Sequence, residues 1–93
     1  MFTWADSVDD AHVAATSAAL DALPHKIDTI RNYVHGPDAG LSDANADYVV
    51  VADFDDAAGY ETYRDHTDHQ AMIGAQIAGH VSQRMAVQYT IDD

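Results

Sequence analysis

The stretch DYVVVADF, residues 47–54, constrains the fold more than any other part of the chain. In an extended strand its alternating side chains leave both faces apolar, so the strand needs cover on each side and belongs in the middle of a sheet. The chain has 93 residues, enough for one domain. A domain of this size buries only about 60–65% of the surface its unfolded chain exposes, so its core is thin. Helices can cover one face of the sheet. The other face then has no partner within a single chain, and a second copy is its expected cover.

The elements around this strand follow from local signals. Phe2-Thr3-Trp4 reads as the end of a first strand. Ser7 is the expected N-cap of a helix, with Asp10 in the capping-box position and Asp9 near the positive end of the helix dipole. That helix is alanine-rich, carries Val13, Leu20 and Leu23 as its larger apolar stripe, and is expected to close at Pro24, because the residue before proline avoids helical angles. Thr29 to His35 reads as a strand, with Ile30 and Val34 on one face and Arg31, Tyr33 and His35 on the other. HGPDAGLSDANAD then reads as a long loop. After the 47–54 strand, Asp55 or Asp56 caps a second helix running to about His66. Thr67, with Gln70 as its capping-box partner, is expected to start a third helix, on which Met72, Ile73, Ile77 and Val81 form the buried stripe. RMAVQYTI alternates as a final strand, with Met85, Val87, Tyr89 and Ile91 pointing one way. The order β-α-β-β-α-α-β predicts an α+β, ferredoxin-like fold, an antiparallel sheet with helices on one face.

Composition narrows the function classes. There is no cysteine, which excludes a disulfide, a thiolate metal site and a cysteine nucleophile. No apolar run reaches the length of a membrane span, and the N-terminus lacks a signal-peptide pattern, so a soluble, cytoplasmic protein is expected. Sixteen acids, fifteen of them aspartate, face four lysines and arginines, a net charge of −12. Nucleic acid and anionic membranes are therefore not expected partners, since both need a basic face. A phosphate loop, a serine-nucleophile elbow and a paired-carboxylate signature are all missing, and no cofactor is expected.

Chemistry-bearing residues concentrate in YETYRDHTDHQ, residues 60–70. Tyr63 and His66 stand three apart near the end of the second helix and share a face if that helix continues. His69 falls in the first turn of the third helix, where the helix dipole disfavours imidazolium and biases the ring toward its neutral, proton-accepting form. A nearby tyrosine hydroxyl can hydrogen-bond a carbonyl or a forming enolate. The competing reading is structural: His69 satisfies backbone groups at the helix junction and Tyr63 packs in the core. The His66/His69 pair is weak as a metal site without a third ligand, so no metal is expected. Tyr33 and Tyr89 are the best candidates to line a cavity or the sheet-to-sheet interface. His35 stands at the barrel mouth or makes a hydrogen bond in the following turn. His12 and His80 read as surface residues.

The strings ALDALPHKIDTIRNYVHGPD, YVVVADFDD, YETYRDHTDHQ and RMAVQYTI, in this order and spacing, resemble the stress-responsive A/B barrel family. The most specific match is Tyr63, His66 and His69, with two residues between each and the next. The resemblance implies a homodimer whose two sheets close a barrel, with a cavity between sheet and helices in each chain. It also implies a small carbonyl or aromatic ligand. In the polyketide cyclase-like relatives the tyrosine and the second histidine are the catalytic pair, which carries over to Tyr63 as hydroxyl partner and His69 as base, with His66 beside them. Plant stress-induced relatives have no known chemistry, which leaves a non-enzymatic dimer as the alternative. Family members begin several residues earlier, with a longer first strand that often carries a histidine. A short first strand, or missing native residues, is therefore expected here, and that histidine's role has no residue to land on.

The charge surplus generates a prediction. Screening within a Debye length of about 8–10 Å relieves carboxylate repulsion in the compact state, so Tm rises from low to moderate sodium chloride. Thermal unfolding at several salt concentrations checks this; a flat or falling Tm contradicts it.

Overall fold

The computed structural model describes residues 1–91. Its elements are β1 (Phe2–Trp4), α1 (Asp10–Lys26), β2 (Asn32–Pro37), β3 (Tyr48–Asp53), α2 (Ala57–Asp65), α3 (Thr67–Met72), a π-helical turn (Ile73–Ile77) and β4 (Val81–Arg84). The four strands form one antiparallel sheet in the order β2-β3-β1-β4. β3 is internal, as its two apolar faces require. Three-residue β1 is internal too, between β3 and β4.

The sheet has one covered and one open face. Tyr33 and His35 on β2, Tyr48 and Val50 on β3 and Phe2 on β1 alternate toward the helices, where Phe2 and Tyr48 join Leu20, Leu23, Ile27, Met72 and Ile77 in the core. Val34, Val49 and Val51 alternate the other way and remain 52%, 39% and 49% exposed. Val34 pairs directly with Val51 across the β2–β3 ladder, so the open face is a contiguous apolar patch.

Helix α1 departs from expectation at both ends. Asp9, not Ser7, is its N-cap, with Oδ1 accepting from the His12 N–H at 2.9 Å. Ser7 lies in a turn closed by Val8 N–H donating to Ala5 O. Pro24 lies inside the helix, which runs on to Lys26. The missing proline N–H removes one backbone bond, but Thr16, Leu20, Leu23 and Ile27, nearly fully buried at helical spacing, hold both sides of Pro24 against the sheet. Tertiary burial outweighs the local preference. Thr16 escaped the apolar reading; its hydroxyl is satisfied by His12 O and Gln76 Oε1.

The strands shift as well. β2 starts at Asn32 and extends past His35 to Pro37, which pairs with Tyr48. Because β2 is an edge strand, Pro37 can lack an N–H there without cost to the ladder. The third helix ends at Met72 and widens into the π turn, where Ala78 N–H reaches back to Ile73 O. Gly79, with φ of 78°, then swings the chain into β4, a backbone angle that favours glycine. Val81 therefore sits on β4 opposite Trp4 rather than on a helix. The last strand is Val81–Arg84, not residues 84–91. Beyond it Met1 and Met85 exchange hydrogen bonds. Met85, Val87, Tyr89 and Ile91 are 62–80% exposed.

The open valine face predicts self-association. At micromolar concentration the protein is expected to sediment as a dimer burying roughly 2,000 Å² or more in total. Val51→Asp, which places a charge in the patch, shifts it to monomer. A folded wild-type monomer in the ultracentrifuge contradicts the prediction.

Candidate functional site

The stretch 60–70 forms a helix, a break and a second helix, but the break is made differently from the sequence expectation. Asp56 caps α2 by accepting from the Gly59 N–H at 2.8 Å, and the helix places Tyr60 and Tyr63 inward and Glu61, Arg64 and Asp65 outward. The chain leaves helical angles at His66, with φ −63° and ψ 137°. His66 itself caps α3, its Nδ1 accepting from the Asp68 N–H at 3.1 Å. Thr67 is the first helical residue rather than the cap, and Gln70 does not close a capping box; its Nε2 donates to Arg64 O.

That carbonyl organises the site. Arg64 O belongs to the last turn of α2, where carbonyls have no helical partner. His69 Nδ1 lies 3.0 Å from it. A carbonyl only accepts, so Nδ1 carries the proton and Nε2 of the neutral ring keeps its lone pair. Among the described residues no fully buried side-chain nitrogen or oxygen lacks a partner; Nε2, which makes no hydrogen bond, is therefore not completely buried. Burial, which leaves His69 9% exposed, pulls its pKa below the ordinary histidine value. The Arg64 carbonyl opposes this shift, and the charges of Arg84 and His66 reinforce it.

Tyr63 packs on His69 with ring centroids 4.2 Å apart. Its hydroxyl lies 2.9 Å from that of Tyr33, which reaches across from β2. Burial raises both phenol pKa values. Their shared hydrogen bond raises Tyr33 further and offsets part of the rise at Tyr63. Tyr33, Tyr63 and His69 thus form one contiguous array.

The other candidates stand apart from it. His66 has its Nδ1 occupied as a cap. His35 makes no turn hydrogen bond. Its side chain, 8% exposed, spans Tyr48 OH and Asp21 Oδ1, both at 2.7 Å, tying α1 to the sheet and leaving neither ring nitrogen free. Tyr89 is 80% exposed and lines neither of the two surface depressions of the chain. His12 and His80 are not plain surface residues: they stack at 4.1 Å, and His12 Nε2 donates to Gln76 O. Among the described residues no three histidines or carboxylates converge as metal ligands. Two surface depressions, of about 280 and 400 Å³, are lined by residues around Gly59 and around Tyr48, and neither includes Tyr63 or His69. Sequence reasoning missed Arg84 and the Arg64 carbonyl. The first needs the strand register, and the second needs the position of the helix break.

A sheet with helices on one face, closed by β4 beside β1, defines a ferredoxin-like α+β protein. Solved structures agree. A dimeric ferredoxin-like protein of unknown function from Thermobifida fusca YX is similar at 40% identity and TM-score 0.90, over 98% of this chain and 85% of that one. A dimeric protein of unknown function and ferredoxin-like fold from Bacteroides fragilis shows 24% identity and TM-score 0.78, over 97% and 89%. A dimeric ferredoxin-like protein of unknown function from Jannaschia sp. shows 22% identity and TM-score 0.70, over 84% and 78%. The last two similarities speak to fold alone. A comparison with curated proteins finds no match. The family model of the stress responsive A/B barrel domain matches residues 1–91, and the chain belongs to that family.

The His69 environment predicts a pH dependence. A histidine whose folded pKa lies below its unfolded value of about 6.5 binds more protons unfolded, so its contribution is complete above that value. It is lost as pH falls through the folded pKa. Urea unfolding from pH 7.5 down to 5 is expected to show wild-type stability falling more steeply than that of His69→Gln. Parallel curves contradict the assignment.

Proposed function

We propose that Tyr63, His69 and Tyr33 carry out cofactor-free proton transfer on a small carbonyl or aromatic ketone compound, within a homodimer. The observation that carries this reading is the fixed tautomer of His69: Nδ1–H is held on Arg64 O, and Nε2 is left with its lone pair free beside the Tyr63 ring. Its lowered pKa keeps it neutral at pH 7, as a general base requires. Nε2 takes a proton from the carbon next to the carbonyl. The Tyr63 O–H donates to the enolate oxygen, which leaves the Tyr63 oxygen to accept from the Tyr33 O–H 2.9 Å away. The imidazolium then returns the proton, either to another carbon, which isomerises the substrate, or to the alkoxide formed when the enolate carbon attacks a second carbonyl and closes a ring.

The homodimer is supported by the open valine face and by the dimeric Thermobifida relative. A second reading is a non-enzymatic family member whose dimer is the functional unit. It draws on the two surface depressions, which lie away from Tyr63 and His69, and on the packing of Tyr63 against the core.

The chemistry can be tested without the natural substrate. Exchange of the acetophenone methyl protons in D₂O, followed by NMR, is expected to run faster with protein than with buffer alone. His69→Ala abolishes the acceleration, and Tyr63→Phe lowers it about 10²- to 10³-fold, both with dimer and fold intact. Acceleration that survives both substitutions, or is never seen, leaves the stretch as a helix junction and favours the non-enzymatic reading.

A further inference from the structure

In an unbroken helix the Asp68 N–H would donate to the carbonyl four residues back, Arg64 O. Here His66 Nδ1 takes that N–H at 3.1 Å, and the carbonyl is left to side chains. Two of them reach it: His69 Nδ1 at 3.0 Å and Gln70 Nε2 at 2.6 Å. A carbonyl oxygen has two lone pairs, one for each donor. The contact also fixes how the Gln70 amide is turned, because only its nitrogen end can donate.

The two bonds differ in standing. Gln70 makes the shorter one, and its backbone is anchored too, with its N–H on His66 O at 3.0 Å. Its side chain thus ties the last turn of α2 to the first turn of α3 across the break. Helix ends loosen where carbonyls lack partners. His69 alone would hold Arg64 O by one longer bond, at the end of a nine-residue helix. Gln70 is exposed and outside the core cluster, so packing does not account for its placement.

We infer that Gln70 is a positioning residue for His69: it holds the Arg64 carbonyl in line with Nδ1, so that the ring keeps its proton there and presents Nε2. The inference rests on the proton-transfer reading of His69, which gives the free Nε2 its task. Without the amide donor, water competes for the carbonyl and the end of α2 loosens. The neutral ring then samples the Nε2–H tautomer as well. In that tautomer Nε2 has no lone pair and takes no proton from a substrate.

The test reads the ring nitrogens of His69 by NMR at about pH 8, above its titration, together with exchange of the acetophenone methyl protons. Wild type is expected to show the proton on Nδ1 and an unprotonated Nε2. Gln70→Met, which keeps the side-chain length and removes the donor, moves both nitrogens toward a mixture of tautomers and slows exchange at least about tenfold. Gln70→Lys, which keeps a donor, retains most of the wild-type signals and rate. Wild-type ring signals in Gln70→Met overturn the role, whatever that variant does to stability, and leave Gln70 as a plain helix-end cap. If wild type itself fails to accelerate exchange, the proton-transfer reading fails separately, and the ring signals still decide whether Gln70 sets the tautomer.

Discussion

Three residues, Phe2-Thr3-Trp4, hold the sheet together. β1 is internal although it is the shortest strand, and it joins β4 to the β2–β3 pair. Its grip comes from side chains as much as from backbone bonds. Phe2 stacks on Tyr48 at 5.4 Å and meets Trp4 edge-on at 4.9 Å, and Trp4 contacts His12 of α1. Aromatic pairs of this kind contribute about 0.5–1.5 kcal/mol each beyond their burial, a useful sum in a thin core. β4 lies at the sheet edge, and Met1 and Met85 exchange hydrogen bonds next to its ladder with β1. The β1–β4 register sends Arg84 to the helix side.

The helix junction is the second dependency. α2 stops at Asp65, and its last turn leaves a free carbonyl at Arg64 that two residues of α3 satisfy, Gln70 and His69. The bond that finishes one helix also sets the tautomer of the candidate base. Structural and chemical duties of His69 are therefore not rivals: a side chain that must cap Arg64 O through Nδ1 presents Nε2 as a consequence. Tyr63, in the last turn of α2, is placed on that ring by the same break.

Much of this was legible in the chain. The two-faced apolar pattern of residues 47–54 placed β3 inside the sheet, and turn chemistry around Thr67 marked a helix break to within one residue. The spacing of Tyr63 and His69 set both on the buried side. Other features were not legible because local preference lost to burial. Ser7 is a good cap, but the turn at Ala5–Val8 takes it out of position and Asp9 serves instead. Pro24 disfavours helix, but Leu23 and Ile27 are nearly fully buried on the same face and hold the helix through it. Local signals offer His35 the barrel mouth or a turn hydrogen bond, yet its partners Asp21 and Tyr48 lie 14 and 13 residues away in the chain.

The sequence by itself determined the order of elements, the internal place of β3, the need for cover on the second sheet face and the proximity of Tyr63 to His69. Each of these follows from periodicity or from signals within a few residues. Only the tertiary structure decided which residues of the C-terminal segment pair with β1, that Arg84 falls on the helix side, and that the Tyr33 hydroxyl meets that of Tyr63. Those outcomes depend on strand register and on contacts between residues thirty or more apart. A one-residue slip in register would turn Arg84 to the open face, and nothing in the local pattern of residues 81–91 opposes that slip. The packing of Phe2 against Tyr48 does.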